Sequence, residues 1–230
     1  MRHAGIYAAL IFSTGACGIG AIGNGEVTST SRPVSGFSQV VSEGSATVMV
    51  REGSAYAVAV TTDSNLQHRV ETRVEGDRLV VDEREVLRAT ELRVDIQMPT
   101  FRAGTLAGSG SFDVTVADSH QVDLTLSGSG DMAFSGPATE VNASLDGSGT
   151  LRLTGSAEFL TATLDGSGEL DARALPANRV TLDLDGSGRL QATALQSVAL
   201  RLGGSGDIEW WGPAAVSSAI DDGSGQITHH

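Results

Sequence analysis

The tripeptide Gly-Ser-Gly begins at Gly108, Gly128, Gly147, Gly166, Gly186, Gly204 and Gly223, so successive copies are 20, 19, 19, 20, 18 and 19 residues apart by subtraction. A period of this size, kept through seven copies, signals a solenoid in which each repeat is one coil and buries its apolar face only against its neighbours. Aligning the copies on their first glycine reveals the core. Two residues before it stand Leu106, Leu126, Leu145, Leu164, Leu184 and Leu202; four before it, from the second copy on, stand Leu124, Ala143, Ala162, Leu182 and Leu200. Six before it come Val122, Val141, Leu160, Val180 and Val198. Four residues after it come Phe112, Met132, Leu151, Leu170, Leu190, Ile208 and Ile227. Alternation with period two on both sides of the corner predicts strand, corner, strand in every coil.

The fold class expected is therefore all-β, a parallel β-solenoid (β-helix) with coils of ~19 residues stacked about 4.8 Å apart. An antiparallel sandwich also has short strands and turns, but does not require identical residue types to return at identical offsets. A second, looser corner closes each coil, seen as Gly136-Pro137-Ala138, Gly155-Ser156-Ala157, Leu175-Pro176-Ala177 and Gly212-Pro213-Ala214. Glycine at the tight corner implies positive φ, or backbone too close to admit a side chain. Aromatic residues are only 4% of the chain against 40% hydrophobic residues overall, as suits many thin, similar layers of Leu, Val and Ala.

The regular solenoid is expected over residues 104–230. Residues 36–103 lack the period but keep strand character at Ala46–Val50, Ala55–Val60, His68–Val74, Arg78–Asp82 and Leu92–Met98, and read as irregular coils or a cap. Such a cap would protect the open edge of the solenoid from pairing with other chains.

Gly36-Phe37, the segment Arg78-Leu79-Val80-Val81, a strand ending in Met98-Pro99 and the serial Gly-Ser-Gly corners together resemble the head GIN domain family of bacterial envelope proteins, also called putative auto-transporter adhesins. The resemblance runs from about Gly36 to the C-terminus. It implies a β-helical exported protein of the cell envelope whose biochemical activity is unknown, with adhesion attached to the family name and to no particular residue. It carries over no catalytic residue.

Residues 1–17 read as an export signal: Arg2 and His3, an apolar run from Ile6 to Phe12, then small residues up to Cys17. The run is too short to span a bilayer. Cys17, the only cysteine, follows Gly15-Ala16 as in the lipobox of bacterial lipoproteins, although Thr14 replaces the usual aliphatic residue. Acylation there would anchor the protein to a membrane, with residues 18–35 as a flexible tether; the plainer alternative is a passenger cysteine in a cleaved secretory signal.

Charge narrows the functions open to the chain. A net charge of −13 repels nucleic acid and anionic lipid. Residues 104–230 hold 16 Asp and Glu against 5 Arg, so the repeat carries most of the excess. No lysine occurs, which excludes Schiff-base chemistry and Walker-type phosphate binding.

Four features are candidate sites. The corner serines, Ser109 to Ser224, should stack as a hydrogen-bonded structural ladder; no histidine repeats beside them to make them nucleophiles. Asp146, Asp165 and Asp185 precede three consecutive corners, and carboxylates stacked at coil spacing repel by about 0.9 kcal/mol per pair in water. They either splay into solvent or share calcium, the one cofactor considered. Trp210 and Trp211 point to opposite faces of a strand, so Trp210 is expected to plug the core. Trp211 would then be covered by the tail or exposed as a glycan contact. The histidines show no metal spacing and no enzymatic site is expected. The leading expectation is a non-enzymatic, lipid-anchored envelope protein with a structural or adhesive role and an envelope protein or glycan as partner. The alternatives are a calcium-dependent or glycan-binding module and a polysaccharide-active β-helix enzyme.

Overall fold

The structure is a computed structural model and describes residues 20–230. The export signal and Cys17 lie outside the described residues. In chain order the strands are β1 (Ala21–Ile22), β2 (Val27–Arg32), β3 (Gln39–Gly44), β4 (Thr47–Glu52), β5 (Ala57–Asp63), β6 (Val70–Glu75), β7 (Arg78–Glu83), β8 (Leu87–Arg88) and β9 (Leu92–Met98). They continue with β10 (Ala103–Gly108), β11 (Ser111–Thr115), β12 (Ser119–Gly128), β13 (Asp131–Gly147), β14 (Thr150–Gly166), β15 (Glu169–Gly186), β16 (Arg189–Leu202), β17 (Asp207–Trp211), β18 (Ala215–Asp221) and β19 (Gln226–His229). No helix occurs among the described residues.

From β10 onward every pairing is parallel, and at the tight corners the register is the one the period predicts. Gly108 opposes Gly128, Gly128 opposes Gly147, Gly147 opposes Gly166, and Gly166 opposes Gly186. The leucine column from Leu106 to Leu202 is fully buried. Burying each such side chain contributes about 1.5–3 kcal/mol. The first coil departs from the pattern by placing Gly104 where later coils hold Leu124 and its equivalents. A Cβ at Gly104 would stand 2.9 Å from the Phe112 ring and 3.1 Å from Phe101, so two phenyl rings already occupy that volume.

Tight and loose corners do different work. Each corner serine from Ser109 to Ser224 donates its backbone N–H to the carbonyl of the first corner glycine one coil earlier, at 2.7–3.0 Å. This places successive corners so close that a Cβ on either glycine would fall under 3.0 Å from a carbonyl oxygen of the previous coil. At Gly166 φ is also +128, a backbone that L side chains rarely adopt. The variation in coil length is absorbed at the loose corner instead, where the ladders shift register between Arg152 and Thr154 and again between Ala172 and Ala177.

The solenoid starts earlier than residue 104, and its coils are not stacked in chain order. β10 pairs with β3 and β11 with β4, with Gly108 opposite Gly44. Gly44-Ser45-Ala46 is thus an eighth corner, which the sequence pattern missed because alanine replaces the second glycine. Beyond it lies the coil made by β7 and β9, which pair with β3 and β4. That coil has no Gly-Ser-Gly corner to offer a carbonyl. Glu83 supplies the acceptor: its carboxylate takes the Ser45 N–H at 2.7 Å and the Ser45 hydroxyl at 2.9 Å.

Antiparallel strands close this end. β6 pairs with β7 through a two-residue hairpin with Gly76 at φ +65; β5 pairs with β9, and β2 with β5. The closure also takes in residues that composition reads as a tether. Val27–Arg32 lie along β5 as a strand, because the open edge of β5 offers them a row of unpaired backbone groups. Gly36 turns the chain at φ +82, and Phe37 is buried, 4.9 Å from the Tyr56 ring.

The corner geometry separates backbone from side-chain effects. Gly168→Val should destabilise the protein by roughly 2–3 kcal/mol, because its Cβ would meet both the Gly149 carbonyl and, at 2.7 Å, the Leu145 side chain. Ser167→Ala should stay within about 0.5 kcal/mol, since only its N–H is used. Urea unfolding followed by circular dichroism measures both.

Candidate functional site

The corner edge is scaffold. All seven serine side chains face solvent, and the only hydroxyl-to-hydroxyl link between these serines is Ser205 to Ser224 at 3.1 Å. The expected side-chain ladder is therefore corrected to a backbone one, since the N–H to carbonyl bonds set the spacing and leave the hydroxyls to water.

Asp146, Asp165 and Asp185 lie in direct register on the neighbouring column and are exposed. Ser127 precedes them, and they make no protein hydrogen bond among the described residues. Arg201, one column inward, pairs with Asp183 at 2.7 Å and lies near enough to Asp185 and Asp222 for both to raise its pKa as well. No group of three or more His, Cys, Asp or Glu side chains among the described residues is arranged to hold a metal ion.

Trp211 sits at the far end of the post-corner face. Trp210, one residue before it, is buried and opposes His229 on β19, with the two rings stacked at 3.6 Å. His229 Nε2–H donates to the Gly212 carbonyl at 2.9 Å. On the outer side Trp211 stacks on His230 at 4.6 Å, while the Arg173 guanidinium lies 5.7 Å from its centroid. Trp211 is therefore covered by the tail, with its ring engaged by neighbours rather than open as a platform. Arg173 is held in turn by Asp171 through a two-pronged contact at 2.7–2.9 Å, which keeps the Asp171 carboxyl below the usual carboxylate range. The terminal histidines, which read from the sequence as mere tail, complete this aromatic stack.

One buried carboxylate stands apart from these columns. Asp63, at the end of β5, accepts the Gly25 N–H at 2.6 Å, the Thr90 N–H at 2.7 Å and the Thr90 hydroxyl at 3.0 Å. The Thr90 backbone bond is the main reason its carboxyl is held below the usual range; burial opposes it. With its oxygens engaged by N–H and O–H donors, Asp63 serves as a clasp between the first strands and the loop after β8, not as a base.

The pre-corner face is a flat lattice of short polar side chains. Asp123, Asn142, Thr161 and Thr181 form one column; Thr125, Ser144, Thr163 and Asp183 form the next. Between them lies a shallow open depression of about 150 Å³. Phe159, 37% exposed, opposes Glu140 in the adjoining column, two residues before Thr161, with the Arg179 guanidinium 5.0 Å from its centroid. Sequence reasoning passed over Phe159, although the corner alignment places it at an outward offset, seven residues before Gly166.

A family model described as "Putative auto-transporter adhesin, head GIN domain" matches residues 36–214. No curated protein matches the chain. Among solved structures, a putative adhesin from Bacteroides fragilis NCTC 9343 is similar, with a TM-score of 0.84, 20% identity, and coverage of 92% of this chain and 100% of that one. A putative adhesin from Parabacteroides distasonis ATCC 8503 has a TM-score of 0.73 and 22% identity, covering 91% of this chain and 99% of that one. A putative lipid binding protein from the same organism has a TM-score of 0.73 and 24% identity, covering 91% and 98%. At these identities the likeness is one of fold.

Asp63 makes the stability of the cap pH-dependent. Its folded pKa is depressed, so its contribution is present above the unfolded value of about 3.9 and is lost as pH falls through the folded value. Asp63→Asn should lower the urea midpoint at neutral pH, and the gap to wild type should close in acid.

Proposed function

The chain belongs to the putative auto-transporter adhesin, head GIN domain family, and from that premise we propose an exported, lipid-anchored cell-envelope protein that acts by adhesion through the outside of its solenoid, without catalysis. One observation carries this reading: the interior is filled by fully buried Leu, Val, Ala and Phe layers, so all chemistry open to a partner lies on the outer faces. Those faces repeat one pattern at every coil. A repeating partner then gains several weak contacts at once, which multiply into useful avidity.

The anchor rests on the order of residues ahead of the fold: a basic start, a short apolar run, small residues and Cys17. Since Val27–Arg32 pack on β5, the span between an acylated Cys17 and the folded body is shorter than a tether reaching residue 35. The cap end would then face the membrane and the later coils would project from it. The lipid binding named for one structural relative finds no counterpart in this filled core.

Two measurements test the proposal. Wild-type protein expressed in a bacterial host should incorporate an alkyne fatty acid and sediment with membranes, whereas Cys17→Ala should do neither. Purified protein lacking the signal should be retained on isolated cell envelopes; failure of wild type to bind any envelope preparation would remove the adhesive reading.

A further inference from the structure

We infer that the pre-corner face carries a binding site for neutral saccharide chains, centred on Asp123, Asn142, Thr161 and Thr163 with Phe159 at its rim. The inference rests on the adhesive reading and assigns it a ligand class and a place. Asn142 Nδ2 donates to Asp123 Oδ1 at 2.9 Å and to Glu140 Oε1 at 3.1 Å. The amide is thus fixed in orientation before a ligand arrives, which lowers the ordering cost of binding. Gln121 Nε2 also donates to Asp123, at 3.2 Å to Oδ1 and 3.3 Å to Oδ2, and the Asn142 carbonyl oxygen has no protein donor among the described residues and is left as an acceptor.

The hydroxyls of Thr161 and Thr163, with those of Thr125 and Ser144, make no protein hydrogen bond among the described residues and line the same depression. Each can donate and accept, as sugar hydroxyls do. Asp123 and Asn142 oppose each other in the ladder, as do Asn142 and Thr161, so polar groups recur about 4.8 Å apart along the solenoid axis. A chain of sugar rings laid along that axis would meet a polar pair at each coil. Beside them Phe159 has the Arg179 guanidinium 5.0 Å from its ring centroid, and the 37% of its surface left exposed offers an apolar patch to the C–H side of a sugar.

Charge selects among saccharides. Asp123 and Glu140 lie within the patch, and Asp146 and Asp165 run along its corner side, so uronic acids and sulfated chains are repelled. A protein partner would want a larger apolar centre than this face provides. Trp211, which the sequence leaves either covered by the tail or exposed to a sugar, has its ring stacked on His230, and so the site moves to the opposite outer face.

Calorimetric titration of the signal-free chain with cellohexaose, N-acetylated chitohexaose and hexagalacturonate tests the assignment. At least one neutral hexasaccharide should bind, and hexagalacturonate should not. Phe159→Ala and Asn142→Ala should each weaken binding about tenfold or more, with Trp211→Ala within about twofold of wild type. Melting curves should show all three variants folded, and Thr161→Val, which keeps the side-chain shape, should weaken binding if any of them does not fold. The site is overturned by wild type that ignores both neutral probes at millimolar concentration, by tighter binding of hexagalacturonate, or by folded Phe159 and Asn142 variants that bind like wild type. Retention on envelopes by wild type and by Phe159→Ala alike would remove this site while leaving adhesion in place.

Discussion

The bond from each corner serine N–H to the glycine carbonyl one coil earlier sets the rest of the molecule. It draws successive corners to backbone contact, and at that distance neither flanking residue can carry a Cβ. Because the corners align, the strands on both sides align, and leucine falls on leucine down the core. The packing gain of that column and the corner bond support one another. A side chain at a corner glycine would lift the next coil and open the leucine layer beneath it.

A ladder of this kind needs an end, and the cap supplies one by substitution. Where the preceding corner is missing, the Glu83 carboxylate stands in for the absent carbonyl at Ser45. Antiparallel strands then cover the two edges that β7 and β9 would leave open. Asp63 ties the chain entering the fold to the loop after β8, so three separate stretches of sequence meet on one carboxylate. At the other end Asp221 opposes Leu202 and His229 opposes Trp210, so core columns give way to polar side chains in the last described coil.

Function follows from where this architecture leaves free chemistry. A filled interior offers no chamber, and the corner edge presents hydroxyls that the scaffold does not use. The two outer faces differ in kind. The post-corner face carries ion pairs and the Trp211 stack, whereas the pre-corner face, beside its Arg201–Asp183 pair, keeps an oriented amide, a partly exposed phenyl ring and threonine and serine hydroxyls without protein partners among the described residues. Under the proposed function, adhesion through repeated shallow contacts would use the second face, and its negative charge would decide which chains approach.

Much of the fold was legible in residue order, because a solenoid turns sequence period directly into spatial register. The glycine positions, the buried columns from Leu106 to Leu202 and the parallel class could be read without coordinates. Trp210 as a core plug could be anticipated from alternation alone. What stayed hidden depends on contacts between residues far apart in the chain. The Gly44-Ser45-Ala46 corner carries only part of the motif, and its stacking next to Gly108 needs the chain to leave and return. Val27–Arg32 look like a linker by composition and become a strand only because β5 offers an edge. The same reason governs the site: sequence leaves Trp211 either covered by the tail or exposed, and tertiary structure decides that His230 stacks on it beside Arg173, while Phe159, with Arg179 alongside, keeps 37% of its surface exposed next to an ordered polar lattice.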